Sequence, residues 1–230
     1  MKANLRIIFR EHKILIGIIF VGILLRFIHL GWGLPELYEE ATPLNIAQQF
    51  WNTDGKGSDF NPHFFNYPAL TFYLHFGGQA AVYAVGRIIG VFSNTSDLFA
   101  SLSSLVLTGR TLTALFDVGT IIVIYLLGTR LGYHRVALFA AAAVALNPLH
   151  IMQSHFIQVD TTLTLLSTLA ILFIMKWFEK GNRKSFLWAG SVIGAAAASK
   201  YTGVFLLLVL LLAYAMRFKT WQEAKKHWNN

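Results

Sequence analysis

The chain contains no cysteine, which excludes disulfides and thiolate metal sites. Charge is scarce too: 13% of its 230 residues are Asp, Glu, Lys or Arg, against about 25% in soluble domains. Acids are the scarcer sign, with 11 Asp and Glu against 19 Lys and Arg. No internal repeat or low-complexity segment is visible, and the lack of two similar halves argues against an inverted-repeat transporter. What is abundant is apolar: 55% of the residues are hydrophobic and the mean hydropathy is +0.54. Several apolar stretches approach or exceed the roughly 18 residues of a spanning helix. The expected class is therefore an all-α polytopic membrane protein, with residues 1–230 forming one transmembrane module. The net charge of +8 does not point to nucleic acid, because the basic residues sit between apolar runs, where topology signals belong.

The basic N-terminus, MKANLRIIFREHK, precedes the apolar run 14–32. That run is long for a signal peptide and no small-x-small cleavage site follows it, so it reads as a retained first helix. Spanning segments are expected at 14–32, 111–131, 136–149, 158–178, 185–199 and 202–216, about six in all. Short ones accommodate by tilting or by thinning the bilayer. Short cytoplasmic loops collect Lys and Arg. Four basic clusters qualify: Lys2/Arg6/Arg10/Lys13, Arg130/Arg135, Lys176/Lys180/Arg183/Lys184 and Arg217/Lys219/Lys225/Lys226. All four lie inside only if the ambiguous segment 68–92 crosses zero or two times. It holds His75, Gly77, Gly78, Gln79 and Arg87 and reads as a helix lying on, or dipping into, the outer face. Residues 33–109 then form a large external loop with surface helices, and 217–230 a cytoplasmic tail.

This topology gathers Glu36, Glu39, Glu40, Arg26, His29, Arg110, His150, His155, Asp160 and Lys200 at one membrane–water boundary. Ionisable groups in spanning segments are costly and usually face a polar interior or cavity. Such a set suits transfer from a phosphate-linked lipid donor. A carboxylate takes the proton of an attacking hydroxyl, and Lys or Arg neutralises the departing phosphate. Each residue also has a plainer reading. Glu39 and Glu40 solvate a loop, Arg26 and Lys200 snorkel to headgroups, and His63 is a loop hydrogen-bonder. Asp117, seven residues after Arg110 and on the same helical face, reads as the structural partner of a cation. His155 and Asp160 are five residues apart, about 140° around a helix, which is poor geometry for a shared metal ion.

Five blocks carry a family resemblance: LYEEATPLNIAQQF, NPHFFNYPALTFYL, GRTLTALFDVGTIIVIYLLGTRLG, NPLHIMQSHFIQVDTTLTLLSTLA and GAAAASKYTGVFLLL. In this order and spacing the chain resembles the family 39 type of membrane glycosyltransferases. These use a phospholipid-linked sugar and include the relatives of protein O-mannosyltransferases and aminoarabinose transferases. The resemblance implies a GT-C-type helix bundle and an inverting transferase with its active site at the outer face. The family's first external loop carries an Asp-Glu pair whose Asp acts as base. Glu39 and Glu40 stand there, with Glu39 a methylene longer than the family's Asp. Tyr67 falls in the family's tyrosine-proline block, Arg110 at the start of the second spanning helix, His155 and Asp160 in its S-H-x-x-x-x-D pattern, and Lys200 in its small-residue turn. Family members are usually longer, so the resemblance implies that this chain lacks their C-terminal half.

The expected function is transfer of a sugar, mannose-like or another hexose or pentose, from a polyprenyl-phosphate donor to a protein, lipid or glycan acceptor. The expected setting is the plasma membrane of a prokaryote, with the N-terminus cytoplasmic. Glu39 and Glu40 are the expected catalytic carboxylates, with Glu40 orienting the acceptor or pairing with Arg26. Lys200, Arg110 and Arg26 are expected to hold the donor phosphate, and Asp160, His155, Tyr67 and His63 to line the site. The acids and histidines permit a divalent metal, but no ligand spacing demands one. A flippase for lipid-linked sugars, or a non-catalytic membrane partner, would use the same residues without forming a glycosidic bond.

Overall fold

A computed structural model describes residues 2–34, 40–51 and 59–218, and for residues 2–12 the backbone alone. The described chain is helical, without strands: α1 (Lys2–Phe27), α2 (Ala41–Gln49), α3 (Leu70–Ile88), α4 (Thr95–Phe99), α5 (Leu102–Arg130), α6 (His134–Leu146), α7 (Pro148–Ser154), α8 (Val159–Lys180), α9 (Arg183–Ser199), a 3₁₀ turn (Tyr201–Phe205) and α10 (Leu206–Arg217).

Two of these helices, α5 and α8, are long and apolar enough to cross a membrane; α6 and α7 together make a third if their 55° bend is one broken span. The expected crossing at 136–149 breaks inside its range because Pro148 follows Asn147. The residue before proline is pushed out of the helical region, and Asn147 sits at φ −67°, ψ 120°. Its side chain then caps α7 by accepting from the N–H groups of Leu149 and His150. The final hairpin is also divided, at Lys200, whose backbone is extended between α9 and the 3₁₀ turn. At 17 and 12 residues, α9 and α10 each fall below the roughly 20 residues that cover a 30 Å hydrocarbon core. The expected six crossings are thus supported, by length and apolarity, for two or three.

The bundle is held by α5, which packs on α1, α3, α6 and α8, and by the α8–α9 hairpin. Gly181 ends α8 in the left-handed conformation (φ +69°), which costs glycine no Cβ clash. Asn182 then accepts from Ser185 N–H at 2.8 Å and starts α9. Trp177, fully buried, packs there among Ala170, Ile174, Ala189, Ile193 and Leu210. Large apolar side chains such as Phe139, Ile88, Leu187 and Met216 face outward, making the kind of surface a bilayer covers.

The segment expected to lie at the outer face forms the single helix α3. It is 19 residues long, but it is not among the helices apolar enough to span. It turns Thr71, His75 and Gln79 inward at four-residue spacing, one face of a helix. Burial pushes the His75 imidazole down to about 4, so the ring is neutral at physiological pH. Tyr73 and Phe76 of α3 interlock with Phe50, Trp51 and Phe60, with centroids 5.1–5.9 Å apart.

One close backbone contact sets the angle of the last hairpin. A Cβ on Gly203 would sit 2.3 Å from the carbonyl carbon and 2.5 Å from the oxygen of Ala196 in α9. Gly203→Ala is expected to destabilise the fold by about 1–3 kcal/mol, the range for overpacking, read as a lower thermal midpoint of the detergent-solubilised chain.

Candidate active site

Most of α5 is apolar, but Arg110, Thr113, Asp117 and Thr120 recur at spacings of three and four residues and are all buried. They form one inward stripe, and its two charged members organise two separate clusters.

The upper cluster is a clamp. Arg110 donates from Nε to Oε2 of Glu40 at 3.0 Å and from Nη2 to Oε1 at 2.5 Å. Nη1 donates to the carbonyls of Leu30 and Trp32, both at 2.8 Å. Glu40 Oε2 also accepts from Ile157 N–H at 3.2 Å. Both side chains are almost wholly enclosed. These bonds tie the turn after α1, the start of α2, α5 and the approach to α8 into one unit. Glu40 therefore pairs with Arg110, not with Arg26.

The lower cluster centres on Asp117. Its Oδ2 accepts from Arg26 Nε at 2.6 Å and its Oδ1 lies 2.6 Å from His150 Nδ1. Arg26 also donates to the carbonyls of Gly22 (3.1 Å), Ala145 (2.9 Å) and Val144 (3.1 Å). Two of those carbonyls belong to the last turn of α6, which a helix leaves without internal partners. Arg26 thus closes the C-terminus of α6, where positive charge also suits the helix dipole.

Between these clusters and solvent lies the accessible part. Lys200 Nζ donates to Asp160 Oδ1 at 2.6 Å, with side chains 33% and 50% exposed. Asp160 opens α8 and Lys200 follows α9, so the α8–α9 hairpin brings them together across 40 residues. They share a small cavity, about 70 Å³, with Tyr67, Pro43, Ile157 and Gln158. Pro43 lies three residues after Glu40, and Ile157 is bonded to it, so the clamp sits at the wall of this cleft. Asp160 also borders a second cavity, of about 180 Å³, between α5, α7 and α8.

Of the three cations expected at the donor phosphate, only Lys200 is accessible. Arg26 and Arg110 are enclosed and each spends four of the five donors of a guanidinium on internal partners. His155 ties α7 to the turn after α1, with its ring nitrogens 2.7 Å from Ile151 O and 3.0 Å from Ile28 O. His63 stays outside the cleft. It pairs with Asp59 at 2.7 Å on the surface, and that hydrogen bond holds the Asp59 carboxyl below its ordinary value. Glu39, the expected base, and Glu36 lie outside the described residues. Gln153, Thr161 and Thr164, which line the larger cavity, were not singled out from sequence. The signal for the threonines was their place one and four residues after Asp160, in the first turns of the same helix. Among the described residues, no three His, Asp or Glu side chains gather into a set able to hold a metal ion.

No curated protein and no solved structure gives a match to the chain. The profile of one family, described as dolichyl-phosphate-mannose-protein mannosyltransferase, matches residues 92–229. That stretch carries Arg110, His150, His155, Asp160 and Lys200 and covers more than half of the sequence. The chain belongs to the dolichyl-phosphate-mannose-protein mannosyltransferase family and is a membrane glycosyltransferase of the GT-C type.

Proposed function

We propose that the chain moves a sugar from a polyprenyl-phosphate donor to an acceptor hydroxyl outside the cytoplasm, with inversion at the anomeric carbon. The observation that carries this reading is the exposed Lys200–Asp160 pair in a cleft walled by the Glu40–Arg110 clamp. In this reading residues 33–109 lie on the outer side. Glu39, next to the anchored Glu40, takes the proton as the acceptor oxygen attacks the anomeric carbon. The bond from that carbon to the phosphate oxygen breaks on the opposite side, and its electron pair stays on the phosphate. Lys200 leaves Asp160 to neutralise that charge, and Asp160 and Tyr67 line the path. Arg110 acts by anchoring Glu40, the chain neighbour of Glu39, and Arg26 by closing the end of α6.

The test is transfer of label from a polyprenyl-phosphate sugar by the full chain in lipid vesicles. Lys200→Ala should lower kcat by about 10²- to 10³-fold, the usual loss for one stabilising donor. Glu39→Gln should lower it by about 10²- to 10⁴-fold, the usual worth of a general base. Unchanged turnover in either variant would remove that residue from the reaction.

A further inference from the structure

Arg130 ends α5 about 30 Å along that helix from Arg110, at about 1.5 Å per residue. That is about the thickness of a hydrocarbon core, so Arg130 marks the membrane boundary opposite the candidate active site. Three basic stretches collect there, 130–135, 176–184 and Arg217, and they contain a single acid, Glu179. Two of the cations converge on one cleft. Arg130 and Lys176, with Thr129 and His134, line a space of about 460 Å³ between the end of α5, the start of α6 and α8. Leu126 and Leu172 supply its apolar wall. The Lys176 ammonium lies 4.9 Å from the Phe173 ring centroid and makes no ion pair among the described residues. Arg130 donates to Glu179 through Nη1 alone, which leaves the rest of its fork for another acceptor. On the other side of that ion pair an apolar groove of about 380 Å³ runs between α8 and α10. Glu179 and Leu131, the neighbour of Arg130, both border it, and its walls include Ile174, Val209 and Met216. From Val209 to Met216 it follows α10 for about 10 Å. Arg217 donates to the Phe178 carbonyl at its rim. A cationic cleft joined to an apolar groove fits an amphiphile with an anionic head.

We propose that this end of the bundle seats one anionic glycerophospholipid of the adjoining leaflet. Its phosphate lies between Arg130 and Lys176, and one acyl chain fills the groove along α10. Basic pockets between spanning helices bind anionic head groups by charge, and the groove adds dispersion contacts along the chain. The bound lipid relieves the repulsion between cations on α5 and α8 and fastens α10 to α8. This seat lies across the membrane from Lys200 and does not depend on sugar transfer.

Lipid binding tests this without requiring turnover. The full chain in detergent is titrated with phosphatidylglycerol and with phosphatidylcholine of the same acyl chains, and bound lipid is counted by native mass spectrometry. The wild type should bind phosphatidylglycerol about 25-fold more tightly, the product of about fivefold for each of two basic groups near an anionic head. Lys176→Gln should cut that preference about fivefold, and Arg130→Gln combined with it should abolish it. Val209 is 41% exposed, so Val209→Trp fills the groove without entering the core. It should weaken both lipids about tenfold, as losing contact with about two methylenes gives, and leave the preference intact. Lys184→Gln removes an exposed cation of the same end that lines neither cavity, and should change nothing. Thermal midpoints without added lipid check that each variant is folded. Equal wild-type affinity for the two lipids, or a loss in Lys184→Gln equal to that in Lys176→Gln, overturns the proposal. So does displacement of phosphatidylglycerol by inorganic phosphate, or a second copy of the chain bound in the groove and released by Val209→Trp.

Discussion

Glu40→Ala will destabilise the folded chain by about 3–5 kcal/mol, the usual cost of removing one partner from a buried ion pair. The variant leaves the Arg110 guanidinium enclosed with its charge uncompensated, and it strips the Ile157 N–H of its acceptor. Four parts of the chain meet at the clamp that this carboxylate completes, so the loss should show as a lower thermal midpoint in detergent and faster proteolysis overall. Desolvating two charges costs nearly as much as their attraction returns, so removing both together is far milder than removing one. Glu40→Leu combined with Arg110→Met should therefore recover most of the stability. Transfer should stay lost in that double variant, because Glu39 has lost the charged anchor of its chain neighbour, Glu40. Recovery of stability together with full transfer would show that the clamp has no part in the chemistry.

Arg26→Ala will have an effect of similar size, about 3–5 kcal/mol. Asp117 loses its cation while remaining buried, and the carbonyls of Val144 and Ala145 lose their donor where α6 bends into α7. Arg26→Lys should rescue only part of this. A single ammonium cannot reach the carboxylate and three carbonyls that the planar guanidinium reaches at once. Unfolding midpoints of the three proteins in one detergent check the order, wild type above Arg26→Lys above Arg26→Ala. A midpoint for Arg26→Ala equal to wild type would mean that this arginine is free to serve elsewhere.

The helical class and most helix positions were legible because apolar runs are long and their interruptions are basic or glycine-containing. Boundaries moved where a capping side chain outranked hydropathy. Ser101, whose side chain accepts from Ser104 N–H, starts α5 at Leu102, nine residues before the expected crossing at 111. Pro148 broke the next expected crossing in two, although a run of alanine and leucine concealed the bend. The charged residues were also found in advance, but their partners were not. Arg110 and Asp117 share a helical face, which is visible in sequence. Which carboxylate reaches Arg110 and which cation reaches Asp117 depends on how α1 and the start of α2 dock, and that has no local signal. Arg26 and Arg110 consequently turned inward, because a guanidinium near helix ends finds orphaned carbonyls that an exposed lysine would leave to water. Lys200 met Asp160 because the turn at Gly181 folds α9 back along α8 and brings the end of one beside the start of the other.

The central claim is that the chain forms a new glycosidic bond at the cleft beside Lys200. The most direct measurement is the fate of a labelled sugar on a polyprenyl-phosphate carrier, given to the full chain in sealed vesicles with an acceptor mixture outside. The predicted result is label leaving the lipid and appearing, with inverted anomeric configuration, on an acceptor, with Glu39→Gln preventing it. Label that stays on the lipid, bound or moved between leaflets but never transferred, would contradict the claim.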